Sequence, residues 1–257
     1  MRDFDRAIEE FWAARNGGPY PLHWEPKLGR EDAYRLNLAL AKRHADRGDP
    51  VAGWKVGLTA RAIREQFGLP EPVFALLFEH GRWPSGGTSR LADIRQPGWE
   101  NELCLTLGRA LKGPGVSLAE AARAVEFVQP AMEIIETRGP NSLSGFNVMI
   151  ADNGQQRAFV VGEKTRFDPA RHDLGRAHVQ VFVDGQFREI AYGAAVMESS
   201  PLASIAWLAN RLGALGLSLE AGQCVMTGSF TRQYKIDRPM TAEARFHPFG
   251  AARWTFA

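Results

Sequence analysis

Among 257 residues there are only two cysteines, no run of basic residues and no uninterrupted apolar stretch of the ~18 residues that a membrane-spanning helix needs. Each shortage removes a class of answer. Cys104 and Cys224 lie in separate apolar, strand-like runs, so they are expected to be small buried hydrophobes rather than a disulfide or a nucleophile. Net charge is +2, and the arginines are scattered among acids, so nothing marks a nucleic-acid surface. The opening Met1-Arg2-Asp3-Phe4-Asp5 is acidic and amphipathic, unlike the basic-then-apolar pattern of an export signal. A soluble, cytoplasmic protein without nucleic-acid or membrane partners is expected. With 45% hydrophobic and 23% charged residues, and no internal repeat, the composition is that of a globular chain long enough to bury a substantial core.

What the chain does have is acid embedded in apolar strand sequence. Trp99-Glu100-Asn101-Glu102-Leu103-Cys104-Leu105-Thr106-Leu107 reads as a strand whose alternation puts Glu100, Glu102, Cys104 and Thr106 on one side and Asn101 and the leucines on the other. Same-face residues two apart sit roughly 7 Å from each other, close enough to share one cation or, unshielded, to repel. Pro130-Ala131-Met132-Glu133-Ile134-Ile135-Glu136 is a second short apolar run with Glu133 inside it, and a lone buried carboxylate is costly. Glu-x-Glu also occurs on solvated strand faces, where it binds nothing. If Glu100, Glu102 and Glu133 converge, however, their oxygens make a hard ligand set suited to Mg²⁺ or Mn²⁺ rather than zinc.

Around these acids the sequence reads as mixed α and β. Phe4, Ala7, Ile8, Phe11 and Trp12 recur at helical spacing up to Asn16-Gly17-Gly18-Pro19, and a second helix is expected from about Arg30 to Arg47. Residues 1–50 thus form a small helical region, expected to pack on a main domain over 51–257. Val51-Ala52-Gly53-Trp54-Lys55-Val56-Gly57-Leu58-Thr59 is strand-like and sets Lys55 among apolar neighbours, where it either snorkels to water or serves a site. A short helix over Ala60–Phe67 leads to a buried strand, Val73–Phe78, ending at Glu79 and His80, where a strand reaches solvent or functional groups gather. Ser117-Leu118-Ala119-Glu120 is a capping box opening a helix to about Val128, an excursion that lets the Glu100 and Glu133 strands lie side by side. Ile150-Ala151-Asp152-Asn153-Gly154-Gln155-Gln156 is a polar loop. Val179, Val181 and Val183 alternate up to a hairpin turn at Asp184-Gly185, and Pro201 starts a helix with the stripe Leu202, Ile205, Ala206, Ala209 and Leu212.

Six segments in order, Gly53-Trp54-Lys55-Val56-Gly57-Leu58-Thr59, Glu100-x-Glu102, Leu111-Lys112-Gly113-Pro114-Gly115, Pro130-Ala131-Met132-Glu133, Ala151-Asp152-Asn153 and Gly228-Ser229-Phe230-Thr231-Arg232, resemble one enzyme family over nearly the whole chain. It is the 2-keto-4-pentenoate hydratase and 2-oxohepta-4-ene-1,7-dioate hydratase branch of the fumarylacetoacetate hydrolase superfamily. The resemblance implies a curved mixed β-sheet roll flanked by helices, with a catalytic domain over 51–257. It implies a divalent metal, Mg²⁺ or Mn²⁺, on Glu100, Glu102 and Glu133, and no organic cofactor. The implied reaction is hydration of a 2-hydroxy-2,4-dienoate, through its 2-oxo tautomer, to a 4-hydroxy-2-oxo acid, in aromatic-compound breakdown and by a homo-oligomer. Lys55 and Glu79 take the catalytic positions: Lys55 as a proton handler whose pKa burial and metal would depress, Glu79 as activator of the water. Asp152, Gln155, Thr231 and Arg232 take substrate-binding positions. Decarboxylation of a 2-oxo-enedioate is the alternative, and a member that binds 2-oxo acids without turnover is the third reading. Glu79 and His80 stand where relatives commonly carry Asp and Met, Gln155 where many carry Ser, and Gln233 where hydratases often carry Pro.

Overall fold

Two helices open the chain, α1 (Arg2–Arg15) and α2 (Arg30–Ala45), in a computed structural model that describes residues 2–66, 68–139 and 145–257. There follow β1 (Val51–Gly57), α3 (Arg61–Gln66), β2 (Val73–Phe78), β3 (Arg82–Pro84), β4 (Thr88–Ser89) and β5 (Pro97–Leu107). Next come α4 (Leu118–Ala124), β6 (Val125–Glu136), α5 (Phe146–Ala151), β7 (Gln156–Val161), β8 (Thr165–Arg166), β9 (His178–Val183) and β10 (Gln186–Tyr192). The chain ends with α6 (Pro201–Ala214), β11 (Cys224–Met226), β12 (Tyr234–Lys235), β13 (Met240–His247) and β14 (Gly250–Phe256). Among the described residues no helix is long and apolar enough to cross a membrane.

Local chemistry sets most boundaries. In α1 the buried face is Ala7, Phe11 and Ala14, the spacing of a helical stripe, and the helix stops before Gly17, whose φ is +98°. The capping box forms as expected, Ser117 Oγ accepting from Glu120 N and the Glu120 carboxylate accepting from Ser117 N. α4 nevertheless ends at Ala124 rather than Val128, because Val125, Phe127 and Val128 are strand formers that pair with Leu107, Thr106 and Leu105. The helix expected over Ala60–Phe67 spans Arg61–Gln66, and Phe67 lies outside the described residues.

The larger sheet runs β2-β1-β11-β5-β6-β7-β3, with β12 on β5 and β8 on β6; β1–β11 and β3–β7 are parallel and the other pairs antiparallel, a curled mixed sheet as anticipated. β1 approaches β11 so closely at Gly53 that a Cβ there would stand 1.8 Å from the Cys224 carbonyl oxygen. The second sheet runs β10-β9-β13-β14-β4. One face of the larger sheet contributes Trp54, Val56, Leu103, Leu105 and Ile134 to a core shared with Phe11, Leu36, Leu40, Ile205 and Leu208 of the helices and with Val179, Val181 and Phe246 of the second sheet. At about 1.5–3 kcal/mol per fully buried large apolar side chain, that face secures the fold and leaves the other free to carry charge. The opposite face holds a small cluster, Ala52, Leu77, Cys104, Ala131, Phe159, Cys224 and Met226, in which both cysteines are free and buried.

Candidate metal centre and active site

The register between β5 and β6 sets Glu100 directly opposite Glu133, with Glu102 one pleat along the same face opposite Ala131. The three carboxylates present oxygens that all lie within 4.8 Å of one another. Glu102 and Glu133 are each 1% exposed, while Glu100 is half-buried and faces a cavity. Among the described residues only Glu102 gains a backbone donor, Gly228 N at 2.7 Å from its Oε2. Glu133 Oε1 lies 3.2 Å from Lys55 Nζ, an ion pair whose angle leaves that oxygen without a directed hydrogen bond. Burial first, and then the charge of Glu133, push the Glu100 carboxyl up to about 7, with Lys55 pulling the other way. Glu102 is pushed well above the usual carboxylate range by burial and by both neighbouring acids, and Glu133 is raised by burial against the opposing pull of Lys55. Buried oxygens short of donors, with an excess of negative charge and no nitrogen or sulfur in the set, fit a hard divalent cation.

Lys55 enters from β1, where its neighbour across β11 is Met226, itself opposite Cys104 on β5, so all three side chains share the acids' face. It is 5% exposed, and its Nζ donates to Gly154 O at 2.9 Å. Burial acts to lower its pKa, as expected from sequence, but the charges of Glu133, Glu100 and Glu102 outweigh burial and raise it. The amine is held as an ammonium.

Lys55 and Glu100 form the base of a cavity of about 420 Å³. Its walls carry Leu58, Ile63, Val73, Ile135 and Met149 on the apolar side and Gln155, Thr231, Arg232 and Gln233 on the polar side. Thr231 Oγ1 accepts from Asn101 Nδ2 at 2.6 Å, and Arg232 stands exposed near the Tyr234 ring. Lys55, the three glutamates, Gln155, Thr231 and Arg232 are thus gathered in one place.

Two expected site residues are not. A 3-10 turn over Glu79–Gly81 follows β2 at once and aims Glu79 at Arg82, which donates to it from Nε at 2.8 Å and from a terminal nitrogen at 3.0 Å. Glu79 is exposed and absent from the cavity wall. Asp152 is fully buried but faces away: Arg138 Nε donates to its two carboxylate oxygens at 2.9 and 3.1 Å, and Arg15 Nε lies 3.6 Å away. Sequence reasoning missed the two backbone groups that hold the charged side chains, Gly228 N and Gly154 O, although each sits inside a segment it had singled out. Nothing in the sequence signalled Ile135 and Met149 as cavity walls.

No protein-family model matches the chain. It is 33% identical to a 2-hydroxyhexa-2,4-dienoate hydratase of Comamonas testosteroni over 226 residues, 87% of this chain and 84% of the relative. It is 29% identical to a 2-keto-4-pentenoate hydratase of Paraburkholderia xenovorans over 231 residues, 90% of this chain and 85% of that one. Its fold superposes on a 4-oxalocrotonate decarboxylase from Pseudomonas putida G7, complexed with magnesium and adipate, with a TM-score of 0.92 over 100% of this chain and 98% of the other, at 26% identity. Sequence and fold together show that the chain belongs to the 2-keto-4-pentenoate hydratase branch of the fumarylacetoacetate hydrolase superfamily.

Proposed function

We propose that the chain is a metal-dependent hydro-lyase that adds water to a 2-hydroxy-2,4-dienoate, through its 2-oxo tautomer, giving a 4-hydroxy-2-oxo acid. The observation that carries this reading is the cavity with the acids beside it: Lys55 and Glu100 line it, Glu102 and Glu133 complete the carboxylate triad next to Glu100, and apolar side chains make up much of the remaining wall. That polarity gradient suits a molecule with a charged, oxygen-rich head and a hydrocarbon tail. Glu100, Glu102 and Glu133 would hold Mg²⁺ or Mn²⁺, which when bound supplies Lewis-acid stabilisation of negative charge on the substrate's 2-oxygen.

The chain's own groups do the rest. The Lys55 ammonium, fixed between Gly154 O and Glu133, is placed to hold the substrate head and to pass a proton as dienol and ketone interconvert. Hydration then forms a bond from water oxygen to C4 of the conjugated ketone, and a proton goes to C3. Gln155 and Thr231 offer hydrogen bonds along the polar wall, and Leu58, Ile63 and Met149 keep bulk water from the tail. We assign the protein to the breakdown of aromatic compounds as a homo-oligomer acting on a small dienoate.

A second reading, decarboxylation of a 2-oxo-enedioate, is favoured by Arg232 at the mouth. A cation there and Lys55 at the base would meet both ends of a dicarboxylate. The test incubates the protein and Mg²⁺ with a 2-hydroxy-2,4-dienoate or a 2-oxo-enedioate, following dienol absorbance, CO₂ and the hydrated product. Loss of dienol with equimolar 4-hydroxy-2-oxo acid is expected. CO₂ without hydrated product would replace the hydratase reading by the decarboxylase one, and binding of both acids without conversion would leave only a binding protein.

A further inference from the structure

The turn that supplies Gly154 O is left-handed for three residues in succession, with φ of +59° at Asn153, +57° at Gly154 and +62° at Gln155. Glycine adopts this freely; each of the other two costs on the order of 1 kcal/mol. Within the turn the backbone supplies Gln156 N to Asn153 O and a long bond from Gln155 N to Asp152 O at 3.4 Å, and neither ties the turn to the sheet. The fastening comes from a side chain. Asn153, 2% exposed, accepts from Leu76 N at 2.8 Å through Oδ1 and donates to Leu76 O at 2.9 Å through Nδ2.

Those two bonds copy what a neighbouring strand would make, and β2 is the terminal strand of its sheet, with an edge to be paired. On its other edge β2 pairs with β1, where Ala75 lies opposite Lys55. One carboxamide therefore sets the turn against the residue next to the lysine's strand partner. The fit is close: a Cβ on Gly154 would stand 2.9 Å from Lys55 Cε, 3.2 Å from Nζ and 3.4 Å from Ala75 Cβ. Asparagine is the residue type that tolerates the left-handed conformation and supplies both a donor and an acceptor from one short side chain. An aspartate would face the Leu76 carbonyl with a second acceptor.

We propose that Asn153 is a positioning residue for Lys55: by pairing with both backbone groups of Leu76 it fixes the left-handed turn so that Gly154 packs along the lysine stem and its carbonyl holds the ammonium at the cavity base. The inference rests on Lys55 as the proton-handling group of the proposed reaction. Asn153→Gly keeps left-handed freedom while deleting both side-chain bonds. Gly154→Ala keeps the Asn153 bonds but drives a methyl into the lysine.

Each variant is read in three ways: kcat and KM with Mg²⁺ and a 2-hydroxy-2,4-dienoate, thermal midpoint, and acetylation of Lys55 relative to exposed Lys112 followed by mass spectrometry. The expected result is a kcat lower by about ten- to a hundredfold with KM within about threefold, the scale of a misplaced catalytic group. Lys55 acetylation should rise several-fold, because the turn also walls off the lysine. A folded Asn153→Gly protein with wild-type kcat and wild-type Lys55 labelling overturns the proposal, as does a loss confined to KM or one that tracks only a lowered midpoint. Should Asn153→Gly fail to fold, Gly154→Ala is read by the same criteria. A wild-type protein that converts no dienoate would sink the functional reading alone, since the labelling comparison still tests the turn.

Discussion

Two clusters of buried charge flank the Asp152–Gln155 turn, and they are balanced differently. Towards the main cavity, three carboxylates face the single ammonium of Lys55. On the other side, Asn153 and Gln156 line a second cavity of about 290 Å³ together with Arg15, Glu136 and Arg138. There guanidiniums meet carboxylates: Arg138 donates to Glu136 at 2.8 Å, to the Asp152 carboxylate and to the Asp152 carbonyl at 3.0 Å, with Arg15 alongside and the more exposed Arg157 3.9 Å from Glu136. Every strong charge in that network has its counter-charge in the chain, so it works as a brace. The triad lacks two positive charges, which is what one divalent cation supplies. Both clusters contain buried acids; the charge balance separates support from site.

The largest effect should come from the unbalanced side. Glu102→Gln and Glu133→Gln each remove a ligand, so kcat/KM should fall by more than the ~100-fold that loss of an outer-sphere partner costs. The rise in thermal midpoint on adding Mg²⁺ should vanish with it. The midpoint in EDTA should hold or rise, because one of several repelling buried charges is gone. A Glu133→Gln protein that keeps the full Mg²⁺-dependent rise would break the comparison. On the balanced side the pattern should invert. Asp152→Asn leaves Arg15 and Arg138 with Glu136 alone, a loss of about 3–5 kcal/mol, or on the order of 10 °C in midpoint for a chain of this size. The Mg²⁺-dependent rise should survive. If Asp152→Asn instead kept its midpoint and lost turnover, Asp152 would belong with the substrate, as the family resemblance implied.

That last contrast shows how much could be read in advance. Glu100, Glu102 and Glu133 were legible because strand alternation is a local rule and because acids are scarce inside apolar strands. The hairpin of β9 and β10 was legible for the same reason, whereas the local pattern left Lys55 as snorkelling or functional and the family resemblance put it in the site. Asp152 was not, because its partners Arg138 and Arg15 lie 14 and 137 positions away, and no local pattern encodes which of its two sides faces the cavity. Glu79 sits at a strand end in either reading; whether it turns inward depends on the 3-10 turn that hands it to Arg82. The helix α4 ran short because a period of 3.6 and a period of 2 fit its last four expected residues equally well until β5 was there to pair with them.

The smallest effect, and the one that isolates charge balance from any change of side chain, is the pH dependence of stability. In the folded chain Glu100 is pushed up to about 7, and Glu102 and Glu133 are raised as well. An unfolded glutamate titrates near ~4.3, so between that value and the raised ones the folded state carries more protons than the unfolded state. Stability in EDTA must then fall as pH rises through this window. Arg15, lowered to about 10 chiefly by burial, and Lys55, raised above its ordinary 10.5, stay charged throughout and add no slope. His44 is lowered from its ordinary 6.5, mainly by burial and Arg15, so it contributes the opposite sign, with stability rising as pH approaches 6.5. Comparing midpoints with and without Mg²⁺ cancels His44, because both states contain it. The stabilisation by Mg²⁺ should therefore grow from pH 5 to 8 as protons leave the triad, and Glu133→Gln should flatten that growth. A Mg²⁺ effect independent of pH across this range would mean that the three carboxylates are already fully ionised at pH 5, and the burial and mutual repulsion that distinguish this cluster from the Arg138 brace would have no consequence.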